Sequence, residues 1–231
     1  MNGNSELAVP QNTLGAELRQ LENKQWEQIT LPHTPFVEPL TVLHQRQDIG
    51  YYKKKITITP EEEKKQIWIE VEGARHLADV WINGKHVMQH AGGYTPFVVD
   101  ATGLLKTGKE NELLVRLDNR NNSLIPPGKP LETLDFCYYG GIYRNVHLIA
   151  KADVHITHPI LDGHPAGAGI FITYPKVSQE LSVVDAKTEI KNTSDKEKVV
   201  ELRHTLYTWK KQKGKDKKVQ NISETLTLHP G

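Results

Sequence analysis

Few side chains here fall into patterns that could do chemistry. His86 and His90 in "HVMQH" have the spacing of two zinc ligands on one helical face. The segment follows Asn83-Gly84, however, and reads as a strand. Residues four apart on a strand stand about 13 Å from each other, too far to share one ion. His155 and His158 in "HITH" read as a surface pair in a linker. Cys137, close to Asp135 and Tyr138, is the single cysteine. It has no sequence-near base that would make it a nucleophile, and it reads as a small buried or half-buried thiol. One cysteine also rules out an intramolecular disulfide. Neither a P-loop nor a dinucleotide fingerprint occurs. These patterns lead to no expected catalytic constellation, cofactor site or metal site.

The elements that would position any site are strands. "IWIEVEG" puts Ile67, Ile69 and Val71 on one face, and "LADVWING" puts Ala78, Val80 and Ile82 on one face with Trp81 opposite. "NELLVRLDN" turns Leu113, Val115 and Leu117 inward, and "KKITITP" alternates Ile56 and Ile58 with Lys55 and Thr57. A period of two, broken by Gly, Pro and Asn turns, predicts an antiparallel β-sandwich. Asn83-Gly84 is the strongest turn signal, because a type I′ hairpin needs positive φ at both central residues. "PEEEKK" (Pro60 to Lys65) reads as a connection between strands. Leu14, Leu18 and Leu21 have helical spacing and predict a short amphipathic helix.

The texture changes at "HPILDGHPAGAG", a Gly/Pro/His-rich passage that marks a boundary. Two domains are expected, at residues 1–153 and 154–231. In the second, Val184, Ala186, Thr188 and Ile190 share one strand face. Val200, Leu202 and Leu206 share another, and Ile222, Leu226 and Leu228 a third. About four strands, where an immunoglobulin-like sandwich has about seven, read as the front part of such a domain, truncated at its C-terminal end. "KKQKGKDKK" (Lys210 to Lys218) reads as a solvated hairpin tip.

Charge narrows the partners. With 29 basic and 28 acidic residues, the net charge of +1 leaves no footprint for nucleic acid and no polybasic membrane patch. No run of 18 apolar residues is present to form a spanning helix. "MNGNSELAVPQ" lacks the basic-then-apolar build of a signal peptide. Localisation stays open: periplasmic or extracellular if a signal was removed, otherwise cytoplasmic. Self-association stays open as well. Asn121, Asn192 and Asn221 begin N-x-Ser/Thr triplets, which matter only in a eukaryotic secretory route.

Four ordered segments carry a resemblance. "GARHLADVWINGKHVMQHAGGYTPFVVDATGLLKTGKENELLVRLDN" resembles the N-terminal jelly-roll domain of family 2 glycoside hydrolases, which include β-galactosidases, β-glucuronidases and β-mannosidases. "WEQITLPHTP" is similar to the family's opening segment, "GYYKKKITI" to the strand after it, and "DFCYYGGIYRNVHLI" to its closing strand. Residues 154–231 resemble the immunoglobulin-like domain that comes next. The fold class implied is all-β, a jelly-roll followed by an incomplete immunoglobulin-like sandwich. Physically, "GGYTPF" suits a corner: two glycines allow a sharp bend, Pro96 fixes φ, and Phe97 plugs the sandwich edge.

Family 2 enzymes hydrolyse β-glycosides with retention, using two carboxylates on a (β/α)₈ barrel. The resemblance places that barrel after the immunoglobulin-like domain, so this chain is expected to lack it and to be inactive alone. The family's acid/base lies in an Asn-Glu step. The Asn111-Glu112 step here opens a sandwich strand, and its match is accidental. In the family's β-galactosidases, a jelly-roll Asp just before the last strand hydrogen-bonds a sugar hydroxyl, and Asp135 occupies that position. A second loop contact precedes a Pro-Phe step. There His33 stands where those galactosidases carry Asn, which weakens the transfer of that role. The resemblance thus implies a carbohydrate partner, with a β-galactoside preferred over a β-glucuronide or β-mannoside on the strength of Asp135, and an absent catalytic barrel. The alternative is a free-standing carbohydrate-binding or adhesion module, since jelly rolls host many functions.

Overall fold

The computed structural model describes residue 21 and residues 26–35, 46–164, 168–208 and 217–231. The amphipathic helix expected around Leu14 and Leu18 and most of the Lys210–Lys218 segment lie outside the described residues. The chain divides into two compact units, Met1–Ala150 and Lys151–Gly231.

The first unit is built from two antiparallel sheets. Strands β1 (Ile49–Ile56), β3 (Leu77–Ile82), β4 (Lys85–Ala91) and β6 (Asn111–Asp118) form one, in the order β1-β6-β3-β4. Strands β2 (Gln66–Val71), β5 (Phe97–Asp100) and β7 (Val146–Lys151) form the other, in the order β5-β2-β7. The expected inward residues meet in one core: Ile67, Ile69, Val80, Ile82, Leu113, Val115 and Leu117 are all buried there. Phe97 joins them from the corner before β5.

Local chemistry explains the connections. Asn83 and Gly84 both have positive φ, 50° and 77°, and close a two-residue turn in which Ile82 faces Lys85. The Asn83 side chain also ties the turn to the neighbouring loop, donating to the Leu104 carbonyl and accepting from the Glu112 N–H. Between β1 and β2 the chain makes one helical turn, α1 (Pro60–Glu63). Thr59 and Glu62 cap it reciprocally and Pro60 stands in its first turn. The Asn-Glu step is structural. Asn111 is buried, and its amide bonds both the N–H and the carbonyl of Lys106.

One feature departs from simple alternation. Every residue of β3 is buried, on both faces. Trp81 packs with Leu114 and Leu21 on the second face of the sheet, and Asp79 and Arg116 are sealed beside them.

The second unit pairs β8 (Val154–Ile156) with β11 (Ile190–Asn192), β9 (Ile170–Val177) with β10 (Ser182–Thr188), and β12 (Lys198–Tyr207) with β13 (Lys218–Leu228). Ala186, Thr188 and Ile190 are half-buried as expected, but Val184 is exposed. A register shift between Val183 and Asp185 breaks the alternation there. Leu206 and Ile222 are likewise exposed, whereas Val200, Leu202, Leu226 and Leu228 are half-buried. His155 corrects the surface reading of "HITH". It lies on β8, is buried, and its Nδ1 bonds the Ala152 carbonyl.

Candidate functional site

Five segments of the first unit converge on one rim: Leu31–Pro35, the residues leading into β1, Gly73–His76 before β3, the corner Gly92–Pro96, and the loop from Asn119 to Asn145. Their centre is Arg75. Its guanidinium carbon lies 3.9 Å from the ring centre of Tyr138, 4.4 Å from that of Tyr94 and 5.4 Å from that of Tyr143. Tyrosine faces carry negative potential, so three of them replace water around the cation. Arg75 is 9% exposed, and its Nε is buried without a hydrogen-bond partner. No carboxylate pairs with it among the described residues.

The backbone is drawn together at the same place. The Arg75 N–H donates to the Gly141 carbonyl at 3.0 Å, and the Tyr143 hydroxyl donates to the Gly93 carbonyl at 2.6 Å. Here the glycines behave differently from the corner expectation. Neither Gly92 nor Gly93 has positive φ. Gly93 spares space instead: a Cβ there would stand 3.1 Å from both Arg75 Nε and the Tyr138 hydroxyl. Gly141 needs both freedoms, with φ of 99° and room for a Cβ blocked by the His33 carbonyl and the Tyr52 hydroxyl.

Titration behaviour follows from this packing. Burial pushes the Tyr138 phenol up to about 12, against the opposing pull of the Arg75 charge. Burial lowers the pKa of His76, which stands edge-on to Tyr138 at 5.5 Å, and the Arg75 charge adds to the shift. Neither ring nitrogen of His76 makes a hydrogen bond among the described residues, and the nearby backbone of Ile125 and Arg120 offsets the shift only in part. His90 is lowered by burial as well, stacked on Phe97.

Beside Arg75 lies a shallow cleft, open to solvent. Pro35, Asp48, Tyr52, Asn119 and Gly141 are among its walls. Asn119 helps to build it. Its side chain accepts from the Asp48 N–H and donates to the Arg46 carbonyl, stapling the start of β1 to the end of β6.

Asp135 is exposed, on the loop between the 3₁₀ turn Leu131–Thr133 and β7. Leu131, Leu134 and Tyr138 form a small buried cluster that anchors the chain on both sides of it. Asp135 itself has no hydrogen-bond or ion-pair partner among the described residues, so its carboxylate caps nothing. His33 is half-buried and occupied in part: its Nδ1 bonds the Tyr52 hydroxyl at 3.0 Å and its N–H donates to the Ile142 carbonyl. No contact joins His33 to Asp135. Among the described residues, no group of three or more His, Cys, Asp or Glu side chains could hold a metal ion. Cys137, beside Tyr138, is half-buried.

Sequence reasoning missed Arg75 and its three tyrosines. The available signal was a cation inside "GARHLADVWI", a stretch otherwise suited to burial. It also missed the buried charges Asp79 and Arg116, which stand directly opposite each other across β3 and β6.

The family model described as "Glycosyl hydrolases family 2, sugar binding domain" matches residues 6–152. The chain belongs to glycosyl hydrolase family 2. Among relatives from this family, a β-glucuronidase of Bacteroides fragilis is 34% identical over 170 residues, covering 71% of this chain and 23% of that protein. A β-galactosidase of Thermoanaerobacter pseudethanolicus is 32% identical over 192 residues, covering 80% of this chain and 26% of that protein. The crystal structure of a Bacteroides uniformis β-glucuronidase superposes with a TM-score of 0.73 at 30% identity, over 89% of this chain and 23% of that one. The chain thus spans about a quarter of the length of these family 2 relatives. Both enzyme names occur at similar identity, so the family is shown and the sugar is not.

Proposed function

We propose that this chain is the non-catalytic N-terminal portion of a retaining family 2 β-glycosidase that acts on terminal β-galactosides or the related β-glucuronides. In this reading its loops complete the sugar site of a (β/α)₈ barrel outside the chain. The observation that carries the proposal is Asp135, an exposed carboxylate with no partner among the described residues, held between buried anchors on the loop before β7. A carboxylate accepts from one or two vicinal hydroxyls, and its charge strengthens each bond. Such hydroxyls occur on both sugars, so Asp135 supports the class and does not choose within it. His33 would contribute through the ring nitrogen that Tyr52 leaves free.

The test is kinetics of the complete enzyme, wild type against Asp135→Ala, on nitrophenyl β-galactoside and β-glucuronide, with melting temperature as control. A charged hydrogen bond of about 1.5–3 kcal/mol corresponds to a loss of roughly ten- to several-hundredfold in kcat/KM. Unchanged kcat/KM on both substrates at unchanged stability would remove Asp135 from the sugar site. A complete protein lacking a barrel would point instead to a free-standing carbohydrate-binding module.

A further inference from the structure

We infer that Arg75 is the positioning residue of the Asp135 loop: its guanidinium pins Tyr138, and through Tyr138 sets where the Asp135 carboxylate stands. The inference rests on the reading that Asp135 meets the sugar, and deepens it by naming what holds that carboxylate in place.

The loop from Asn119 to Asn145 is long, and a long loop has many conformations to lose. The Asp135 side chain makes no bond among the described residues, so its position comes from its neighbours. On one side Leu131 and Leu134 are buried. On the other, Tyr138 is fully buried and its hydroxyl donates to the Pro126 carbonyl at 3.1 Å. The face of that ring lies on Arg75 at 3.9 Å. Arg75 is fixed by its own backbone as well: it stands two residues before β3, and its N–H donates to the carbonyl of Gly141, three residues after Tyr138. Tyr94, from the corner before β5, covers the guanidinium at 4.4 Å. One side chain therefore joins the sheet, the corner and the loop. Lysine could not do the same work, since a flat guanidinium stacks on several rings where an ammonium presents only a point charge. With no carboxylate beside it among the described residues, the guanidinium is stabilised here by the rings, which makes its position depend on Tyr138 and Tyr94 as theirs depends on it.

The test is amide hydrogen exchange on the 231-residue chain, comparing wild type with Arg75→Met, Arg75→Lys, Tyr94→Leu and Asp135→Ala. Tyr94 is half exposed, so its replacement puts little of the core at risk and keeps the test alive if Arg75→Met does not fold. In Arg75→Met, exchange at residues 135–139 should rise by about tenfold or more, the scale of losing a desolvated cation–π contact, while the amides of Val80 and Val115 stay protected. Arg75→Lys and Tyr94→Leu should give smaller rises at the same residues. Asp135→Ala should leave the loop's exchange as in wild type. Unchanged exchange at 135–139 in the Arg75 and Tyr94 variants would overturn the inference. So would a rise of equal size throughout the core, which would make Arg75 a general stabiliser. Loss of sugar dependence on Asp135 in the kinetic experiment would sink the sugar reading without altering these exchange rates, so the two failures are separable.

Discussion

Asp79 and Arg116 face each other across β3 and β6, with 3.4 Å between Asp79 Oδ2 and Arg116 Nη1, and both side chains are almost completely sealed from solvent. The pair is the middle of a chain of charges. Asp79 Oδ1 also accepts from Gln89 and meets His86 Nε2, while Arg116 reaches on to Asp118, which Arg120 grips with two nitrogens. A buried charge is costly unless something compensates it, so this network favours the strand register that sets these partners opposite each other.

Breaking the Asp79–Arg116 pair from one side is expected to be costly. Asp79→Leu should destabilise the first unit by about 3–5 kcal/mol, because it takes the Asp79 carboxylate away from a buried Arg116 charge. The double variant Asp79→Leu, Arg116→Met should lose far less than the two singles summed. Urea unfolding monitored by Trp fluorescence would measure the cycle. Strict additivity within about 0.5 kcal/mol would mean the two residues are not coupled.

Acid should weaken the fold in two stages. The folded-state pKa values of His76 and His90 lie below the ordinary 6.5, chiefly through burial. Above about pH 6.5 both are neutral in either state and contribute no pH dependence. As the pH falls below that value, the unfolded chain takes up protons that the fold resists, and stability is lost. Asp118 acts lower. Burial alone would raise its pKa, but hydrogen bonds and charge from Arg120, with Arg116, hold it below 3.8. Its contribution is present above that value and is lost as the pH drops through the folded-state pKa. Thermal melts should therefore show Tm falling between about pH 7 and 5, and again below about pH 4. Replacing His76 and His90 by Gln should flatten the first step. A Tm that stays level down to about pH 5 in the wild type would contradict the assignment.

Two glycines should respond in opposite ways to a single methyl. Gly141→Ala places a Cβ 2.5 Å from the His33 carbonyl at φ of 99°, where neighbouring backbone cannot easily yield. A loss of about 2 kcal/mol or more is expected, from the combination of clash and strained φ. Gly50→Ala, on β1, meets nothing within 4 Å. It should be neutral or slightly stabilising, by at most about 1 kcal/mol, through the unfolded state. Equal melting temperatures for the two variants would rule out the close approach described at Gly141.

The 231-residue chain by itself should not turn over nitrophenyl β-galactoside or β-glucuronide. A retaining mechanism needs a positioned acid and a nucleophile about 5 Å apart, and in the proposed reading both belong to the barrel outside this chain. Turnover by chain free of contaminating enzyme, surviving Asp135→Ala, would show a catalytic pair elsewhere in these residues and overturn the proposed division of labour.

Much of this architecture is determined by short-range chemistry, and so the sequence alone specified it. Alternation at Ile67, Ile69 and Val71, and at Leu113, Val115 and Leu117, depends only on the two-residue pleat. Asn83-Gly84 closes its hairpin because those two residues tolerate positive φ, a property of the residues themselves. The place of Asp135 just before the closing strand is of another kind: it came from the resemblance carried by "LDFCYYGGIYR" and not from a local rule. Only the tertiary structure decided what surrounds these elements. Asp79 and Arg116 are 37 residues apart, and a charged residue in an alternating strand is outward by default until strand register sets its partner opposite. Val184 left its predicted face because a bulge, which no residue type dictates, shifted the period by one. Arg75 is the clearest case. Its environment comes from Tyr94, Tyr138 and Tyr143, on segments distant in sequence, and each tyrosine alone is as compatible with the surface as with a cage. The energy of a buried cation depends on what encloses it, and enclosure is a property of the folded chain in three dimensions.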